Sequence, residues 1–375
     1  MRITPVKRIW LDGKLADWDD AVVHVLSPTV QYGWGVYEGI RCYATPRHGR
    51  AVFRLADHLR RLENSARIYA IPLPCPVDVL EAAVKDTIRE NELESCYIRP
   101  VVYMEPGEMG VDPTAYRPRC FIAAWPWDAV YGEGVLETGI GVTISSWTRP
   151  HASAAPSAAK ACGNYLNSCA ARGDAVRAGF HEAILLNPAG TVADACVANV
   201  FCVTDGRVTT PPTADGPLPG ITRASVLTLA AEAGHQVAER SLTRGCLSTA
   251  DEVFLTSTAG EVVPVTSVDH RPVGAGRPGP VTLDLAARFA AAVRGEDDGG
   301  DRTDGHGSRA GVGGGRAGAE GSRAGGGGGR AAVRGSRAGG DGGRAGVGGG
   351  RAGAEGSRAG GGGGRAAVRG SRAGG

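Results

Sequence analysis

Apolar positions recur along the first 295 residues at two different periods, and the recurrence stops after that. Leu55, Leu59, Leu62 and Ala66 fall at helical spacing, as do Val79, Leu80, Ala83, Val84 and Ile88, which predicts two amphipathic helices. Around them lie strand-like runs. Arg8–Leu11 leads into an Asp12-Gly13 turn and a β-rich stretch at 21–25, which together predict an N-terminal hairpin. Residues 39–43, 97–99, 101–103 and 121–125 read as further strands. These elements make an α+β domain ending near residue 131. A glycine-containing link, 132–134, leads to a second set of strands near 140–146, 182–186, 200–203 and 253–256. Helices are expected at 164–178, 222–235 and 281–293. The reading is therefore a small N-terminal domain, 1–131, and a larger strand-rich domain, 132–295.

Residues 296–375 form a third region. From Asp301 onward there are 13 Arg against five acidic residues and no Lys, Leu, Ile, Met or aromatic residue, so no core can form there and disorder is expected. The stretch 309–340 is repeated without change at 344–375, and each copy of 32 residues offers only two Val to a stacking interface. Against +2 for the whole chain, the tail's +8 leaves −6 for residues 1–300. The basic character thus belongs to the tail, and the folded part carries no basic face for nucleic acid. Without interleaved aromatics, the Arg/Gly tail is also a poor RNA-binding segment. Nine cysteines, an odd number with no C-x-x-C pair, suggest reduced thiols in a cytoplasmic protein with no structural metal. No apolar run approaches the roughly 20 residues of a membrane span.

Chemistry enters with the lysines. The first 295 residues hold four, Lys7, Lys14, Lys85 and Lys160. Three have ordinary surroundings: a chain start, a turn and the polar face of a helix. Lys160 instead stands between Ala158-Ala159 and Ala161-Cys162-Gly163, small neighbours that leave room for a flat ring and supply no carboxylate. An amine so placed is desolvated and becomes a nucleophile toward carbonyl groups. A second local signal is the segment Leu218-Pro219-Gly220-Ile221-Thr222, a turn running into a helix whose first amides favour an anion.

The segment Ser157-Ala158-Ala159-Lys160-Ala161-Cys162-Gly163-Asn164-Tyr165-Leu166 resembles the cofactor-lysine segment of the branched-chain aminotransferases, pyridoxal-phosphate enzymes of fold type IV. The resemblance spans residues 8–295 through segments at 32–43 (Tyr-Gly-Trp-Gly-Val-Tyr-Glu-Gly-Ile-Arg-Cys-Tyr), 58–62, 97–100, 218–223 and 256–261. It implies a small N-terminal α/β sandwich and a larger pseudo-barrel domain. It also implies pyridoxal 5'-phosphate on Lys160 as a Schiff base, with Lys160 as general base and acid. By the same resemblance, Arg61, Thr258 and the amides around Gly220, Ile221 and Thr222 hold the phosphate. Tyr165 partners the ring oxygen and Asp194 the ring nitrogen. Tyr32, Tyr37, Met109 and Trp127 line the side-chain pocket, with Arg41 in the same substrate-binding segment. Arg99 receives the second carboxylate of glutamate, and Tyr97, Thr258 and Ala259 lie near the substrate's own carboxylate. The implied partners are small amino and 2-oxo acids and a second copy of the chain, whose loop completes the pocket.

Three positions depart from that pattern. The family has Glu where Asp194 stands; Asp keeps the charge but shortens the reach by a methylene, and misplacement on the order of 1 Å can cost 10²-fold in rate. Cys196-Val197-Ala198 is bulkier than the usual glycine-rich loop and is similar to the aminodeoxychorismate lyase branch. A family tyrosine expected near Val130 is displaced to Tyr131. The expected activity is amino transfer from L-leucine, L-isoleucine or L-valine to 2-oxoglutarate. The alternatives are a D-amino-acid or amine transaminase, an aminodeoxychorismate lyase, and a cofactor-binding protein that has lost catalysis.

Overall fold

The chain turns back on itself at its start: β1 (Arg8–Leu11) and β2 (Lys14–Asp17) pair antiparallel across Asp12 and Gly13, whose φ values of 47° and 95° suit a tight turn. The structure, a computed structural model, describes residues 3–46, 49–127 and 130–295. The tail from 296, with its expected disorder and its duplicated unit, lies outside the described residues. So does Met1-Arg2.

The second strand of the expected hairpin is β2, and 21–25 forms no strand. Val22 and Val25 are 73% and 71% exposed. β-branched residues favour a strand only where neighbours cover them, and no described residue does so there. The chain passes instead into α1 (Pro28–Tyr32), where the Ser27 hydroxyl accepts the Thr29 amide. Then follow β3 (Val36–Tyr37), β4 (Ile40–Thr45), β5 (Gly49–Val52), the two predicted helices as α2 (Leu55–Ile68) and α3 (Val77–Glu90), β6 (Cys96–Glu105) and β7 (Arg117–Pro126). The sheet runs β2-β1-β7-β6-β4-β5, with β3 also beside β6. Leu59, Leu62, Leu80 and Val84 of the helices pack with Ile98 and Ile122 of the sheet, as the helical spacing predicts.

Residues 97–103 were expected as two strands around Pro100 and are one. Pro100 has no N–H to offer a neighbour, and opposite it the neighbouring chain is interrupted between β3 and β4 at Glu38 and Gly39. The Glu38 amide still donates to Pro100 O at 2.9 Å. This interruption places Glu38 in the interior, where it matters below.

The second sheet begins after α4 (Val135–Thr138) with β8 (Ile140–Ile144). It continues through α5 (Tyr165–Arg177), β9 (Glu182–Leu186), β10 (Val192–Ala195), β11 (Asn199–Thr204), β12 (Arg207–Thr210), α6 (Ile221–Glu232), β13 (Gln236–Glu239), α7 (Arg244–Thr249), β14 (Glu252–Ser257), β15 (Glu261–Val268), β16 (Arg271–Pro272) and α8 (Pro280–Arg294). Its order is β10-β9-β8-β15-β14-β11-β12-β13, with β16 beside β15. Alternation along the central strands splits the apolar side chains between two cores. Val200 and Cys202 of β11 and Val253 and Leu255 of β14 face one core with Ile140 and Ile184. Phe201 and Phe254 face the other, stacked on each other at 4.8 Å and covered by Val226 of α6 and Phe289 of α8. Among the described residues no helix is long and apolar enough to cross a membrane.

Candidate active site

Lys160 lies in the loop between β8 and α5, and its backbone is fastened on both sides. Its amide donates to the Ser65 hydroxyl of α2 at 3.0 Å, and its carbonyl accepts the Tyr37 amide of β3 at 3.0 Å. Two residues on, the Cys162 and Gly163 amides donate to Gly35 O and Gly33 O. The chains touch so closely that a Cβ on Gly33, whose φ is 70°, would stand 2.8 Å from Gly163 Cα. The small residues read from the sequence therefore serve backbone contact as well as room for a ligand.

The amine reaches inward, and Nζ donates to Tyr165 Oη at 2.6 Å. A phenol thus stands where no carboxylate was expected. Burial alone would raise the Tyr165 phenol, but the Lys160 charge, the bonds from Lys160 and Tyr37, and the Arg149 charge outweigh it, and its pKa is lowered. The Tyr37 ring packs 5.1 Å from that of Tyr165, and both Lys160 Nζ and the Arg99 guanidinium lie over its face at 4.8 and 4.6 Å.

These groups line a cavity of about 240 Å³. Of the residues singled out in the sequence, Tyr37, Arg61, Tyr97, Arg99, Trp127, Lys160, Tyr165, Asp194, Gly220, Ile221, Thr222, Thr258 and Ala259 all reach it. Asp194 stands in β10 just past a register shift against β9, an irregularity that re-aims a side chain. Its carboxylate is buried, accepting Arg149 Nε at 2.5 Å and the Leu218 amide at 3.3 Å. Burial raises its pKa while Arg149 and the Leu218 amide hold it back. Arg149 also reaches Ser168 Oγ and Ala195 O, so its guanidinium is fixed on three sides.

Another part of the wall suits an anion. α6 starts at Ile221 behind Gly220 with no side chain capping it, so its first amides are open. The Thr256 hydroxyl lines the same cavity and is buried without a hydrogen-bond partner among the described residues. Trp127 stacks on Tyr97 at 4.3 Å and donates to Ala259 O, while Arg99 donates to the Tyr97 hydroxyl and leaves its Nε buried and without a partner among the described residues. Gly39 makes this crowding possible, since a Cβ there would lie 1.8 Å from the Tyr97 hydroxyl.

Three expected residues are not brought in. Arg41 shares a face of the sheet with its cross-strand neighbour Tyr97, but it pairs with Glu261 at 3.3 Å and lies over Tyr43 rather than lining the cavity. Tyr32 and Met109 do not line the cavity either, being 44% and 65% exposed on α1 and on the loop after β6. The displaced tyrosine is also resolved: Val130 lines the cavity, whereas Tyr131 is turned to Glu182, its hydroxyl donating to the carboxylate at 2.9 Å. Cys196, Val197 and Ala198 reach the cavity as well. Arg149, Glu38 and Thr256 were missed by the sequence reading, for a lone arginine after a strand or an acid between strands carries no local signal. A separate hollow of about 450 Å³ among Thr204–Arg207, His235 and Arg240 holds none of the expected residues.

A lysine bonded to a phenol, a buried carboxylate held by arginine and an open helix start define a class of protein. The profile of the family Amino-transferase class IV matches residues 35–268, and the chain belongs to that family. It is 44% identical over 291 residues to a branched-chain-amino-acid aminotransferase of Escherichia coli (strain K12), covering 77% of this chain and 94% of the relative. The crystal structure of Escherichia coli branched-chain amino acid aminotransferase superposes with a TM-score of 0.76 at 44% identity, covering 78% of this chain and 97% of that one. The branched-chain amino acid aminotransferase of Thermobaculum terrenum, in its PLP form, superposes with a TM-score of 0.73 at 33% identity, covering 78% and 95%.

Proposed function

We propose that this protein is a pyridoxal-phosphate-dependent branched-chain amino acid aminotransferase. It moves the amino group of L-leucine, L-isoleucine or L-valine to 2-oxoglutarate. The observation that carries the reading is the meeting, in one cavity, of the Lys160–Tyr165 pair, buried Asp194 and the uncapped start of α6. The relatives favour an aminotransferase over a lyase or a protein that has lost catalysis.

The site fits the cofactor: the open amides of α6, the unpartnered Thr256 hydroxyl and Arg61 suit its phosphate, and the buried Asp194 suits a protonated ring nitrogen. When bound, pyridoxal phosphate supplies a carbon that exchanges amines and a ring that accepts an electron pair. Lys160 Nζ carries the cofactor, then takes and returns the proton of the substrate's α-carbon. Tyr165 Oη receives the hydrogen bond of that amine at 2.6 Å and would partner the ring oxygen when the cofactor is bound. Asp194 holds a proton on the ring nitrogen, and Arg149 holds Asp194. Gly220, Ile221, Thr222 and Thr258 join Arg61 around the phosphate. Tyr97 and Ala259 orient the substrate's carboxylate, Arg99 receives the second carboxylate of glutamate, and Tyr37, Trp127 and Val130 face its side chain. Arg41 has no direct part in this scheme.

A homodimer is part of the proposal, because Tyr32 and Met109, which the family resemblance puts in the pocket, are exposed here on a single chain. A cytoplasmic location is supported by nine free cysteines. The division into domains 1–131 and 132–295 is supported by the strands: among the described residues, none after Pro126 joins the first sheet and none before Ile140 joins the second.

The test is a visible absorption spectrum of the purified, cofactor-loaded protein, before and after L-leucine and then 2-oxoglutarate. The expected outcome is a band that fades with leucine and returns with the oxo acid. A band that leucine leaves unchanged would remove the branched-chain substrate. No band even with added cofactor would remove the role of Lys160.

A further inference from the structure

Glu38 is fully buried, at the interruption between β3 and β4. A carboxylate in such a place is strongly disfavoured unless its oxygens are met by donors. They are met fully: Oε1 accepts Arg61 Nε at 2.6 Å, and Oε2 accepts Arg61 Nη2 at 2.9 Å, His58 Nδ1 at 2.8 Å and the Gly39 amide at 3.1 Å. His58 is as buried as its partner, with 1% exposure. It lies one helical turn before Arg61 on α2, so both side chains reach the same acid.

The remaining side of the guanidinium is held too. Arg61 Nη1 donates to Pro219 O at 2.9 Å, in the turn that opens α6. Three of its five N–H groups are thereby used, leaving one on Nη1 and one on Nη2. Arg61 lines the cavity beside the uncapped amides of α6.

From this geometry we infer that Glu38 and His58 are positioning residues for the cofactor's phosphate: they clamp Arg61 so that its two remaining N–H groups stay available to the anion that the start of α6 receives. The inference rests on the reading of Arg61 as a phosphate ligand. A clamped guanidinium loses little freedom on binding, whereas a free arginine must be ordered each time. The Glu38–Arg61 pair is neutral overall, so the anion is held by directed hydrogen bonds rather than by surplus charge. Positioning and charge therefore differ in sign. Removing the Glu38 charge leaves an unopposed arginine, which by charge alone would tighten phosphate binding; if positioning rules, binding weakens.

The experiment uses the full chain stripped of cofactor, titrated separately with pyridoxal phosphate and with pyridoxal, which has the same ring without the phosphate. Each dissociation constant is read from the absorbance change, and melting curves of the stripped proteins report folding. Glu38→Gln should weaken pyridoxal phosphate binding about tenfold or more, the scale of a lost charge-assisted hydrogen bond, and leave pyridoxal binding unchanged. His58→Gln should shift the same ratio in the same direction by a smaller factor. Unchanged or tighter phosphate binding in Glu38→Gln, or equal weakening of both ligands, overturns the inference. If Glu38→Gln fails to fold, His58→Gln decides, and an unchanged ratio there overturns it. Arg61→Met separates the two layers. If it keeps the phosphate preference, Arg61 is not a phosphate ligand and the inference falls with that reading; if it alone loses the preference, only the role of Glu38 and His58 is wrong.

Discussion

His58 shows how burial sets the charge of a single residue. Burial lowers its pKa from the ordinary 6.5, the Arg61 and Lys160 charges lower it further, and only Glu38 opposes. A histidine lowered in the folded state remains neutral while the unfolded chain takes up a proton. Its contribution to stability is thus complete above about 6.5 and is lost as pH falls below that value. Buried Asp194, whose pKa is raised, acts in the opposite sense as pH falls toward its own range. Comparing the wild type with His58→Gln isolates the histidine. The melting temperature of the wild type is expected to fall between pH 7.5 and 5.5 more steeply than that of His58→Gln, and equal slopes would rule out a neutral buried imidazole. At this scale Lys160 was legible because only one lysine stands among small residues. Arg149 and Glu38 were not, because what marks them is the carboxylate or guanidinium they meet across 45 and 23 residues of chain.

Among the elements, α2 joins core to site. Leu59 and Leu62 are fully buried against the first sheet, and Arg61, beside Leu62, faces Glu38 and the Pro219 turn. Truncating Leu62 to Ala should cost about 2–5 kcal/mol of unfolding free energy, measured by urea denaturation. A loss below about 1 kcal/mol would mean that the helix is not seated as described. α2 and α3 were read correctly because the 3.6-residue period is a property of one segment, whereas the short α1, α4 and α7 were not read. Strands were less legible. Residues 21–25 have the composition of a strand and no partner, whereas β10 and β15 carry Asp194, Pro264 and Thr266 and are strands because their neighbours pair with them.

On the scale of the whole molecule, the described fold closes with α8, whose C-terminal cap is Gly295 at φ 65°. Phe289 and Leu285 of that helix are buried in the core beneath the second sheet, so the helix cannot be shortened, and the described residues of that core all lie at or before Val293. A chain ending at Gly295 is expected to keep its transaminase turnover and melting temperature, assayed side by side with the full chain. A loss of more than about tenfold in turnover would assign the Arg/Gly-rich tail a part in catalysis. The sequence by itself determined what is local: the helical periods, the lysine among small residues and the turn into α6. Those depend on neighbours a few positions apart. Only the tertiary structure decided that Glu38 and His58 grip Arg61, that Arg149 holds Asp194, that Val130 rather than Tyr131 faces the cavity and that Arg41 does not. Each of these follows from which strands pair and how a buried charge finds its partner, and neither is written in any one segment.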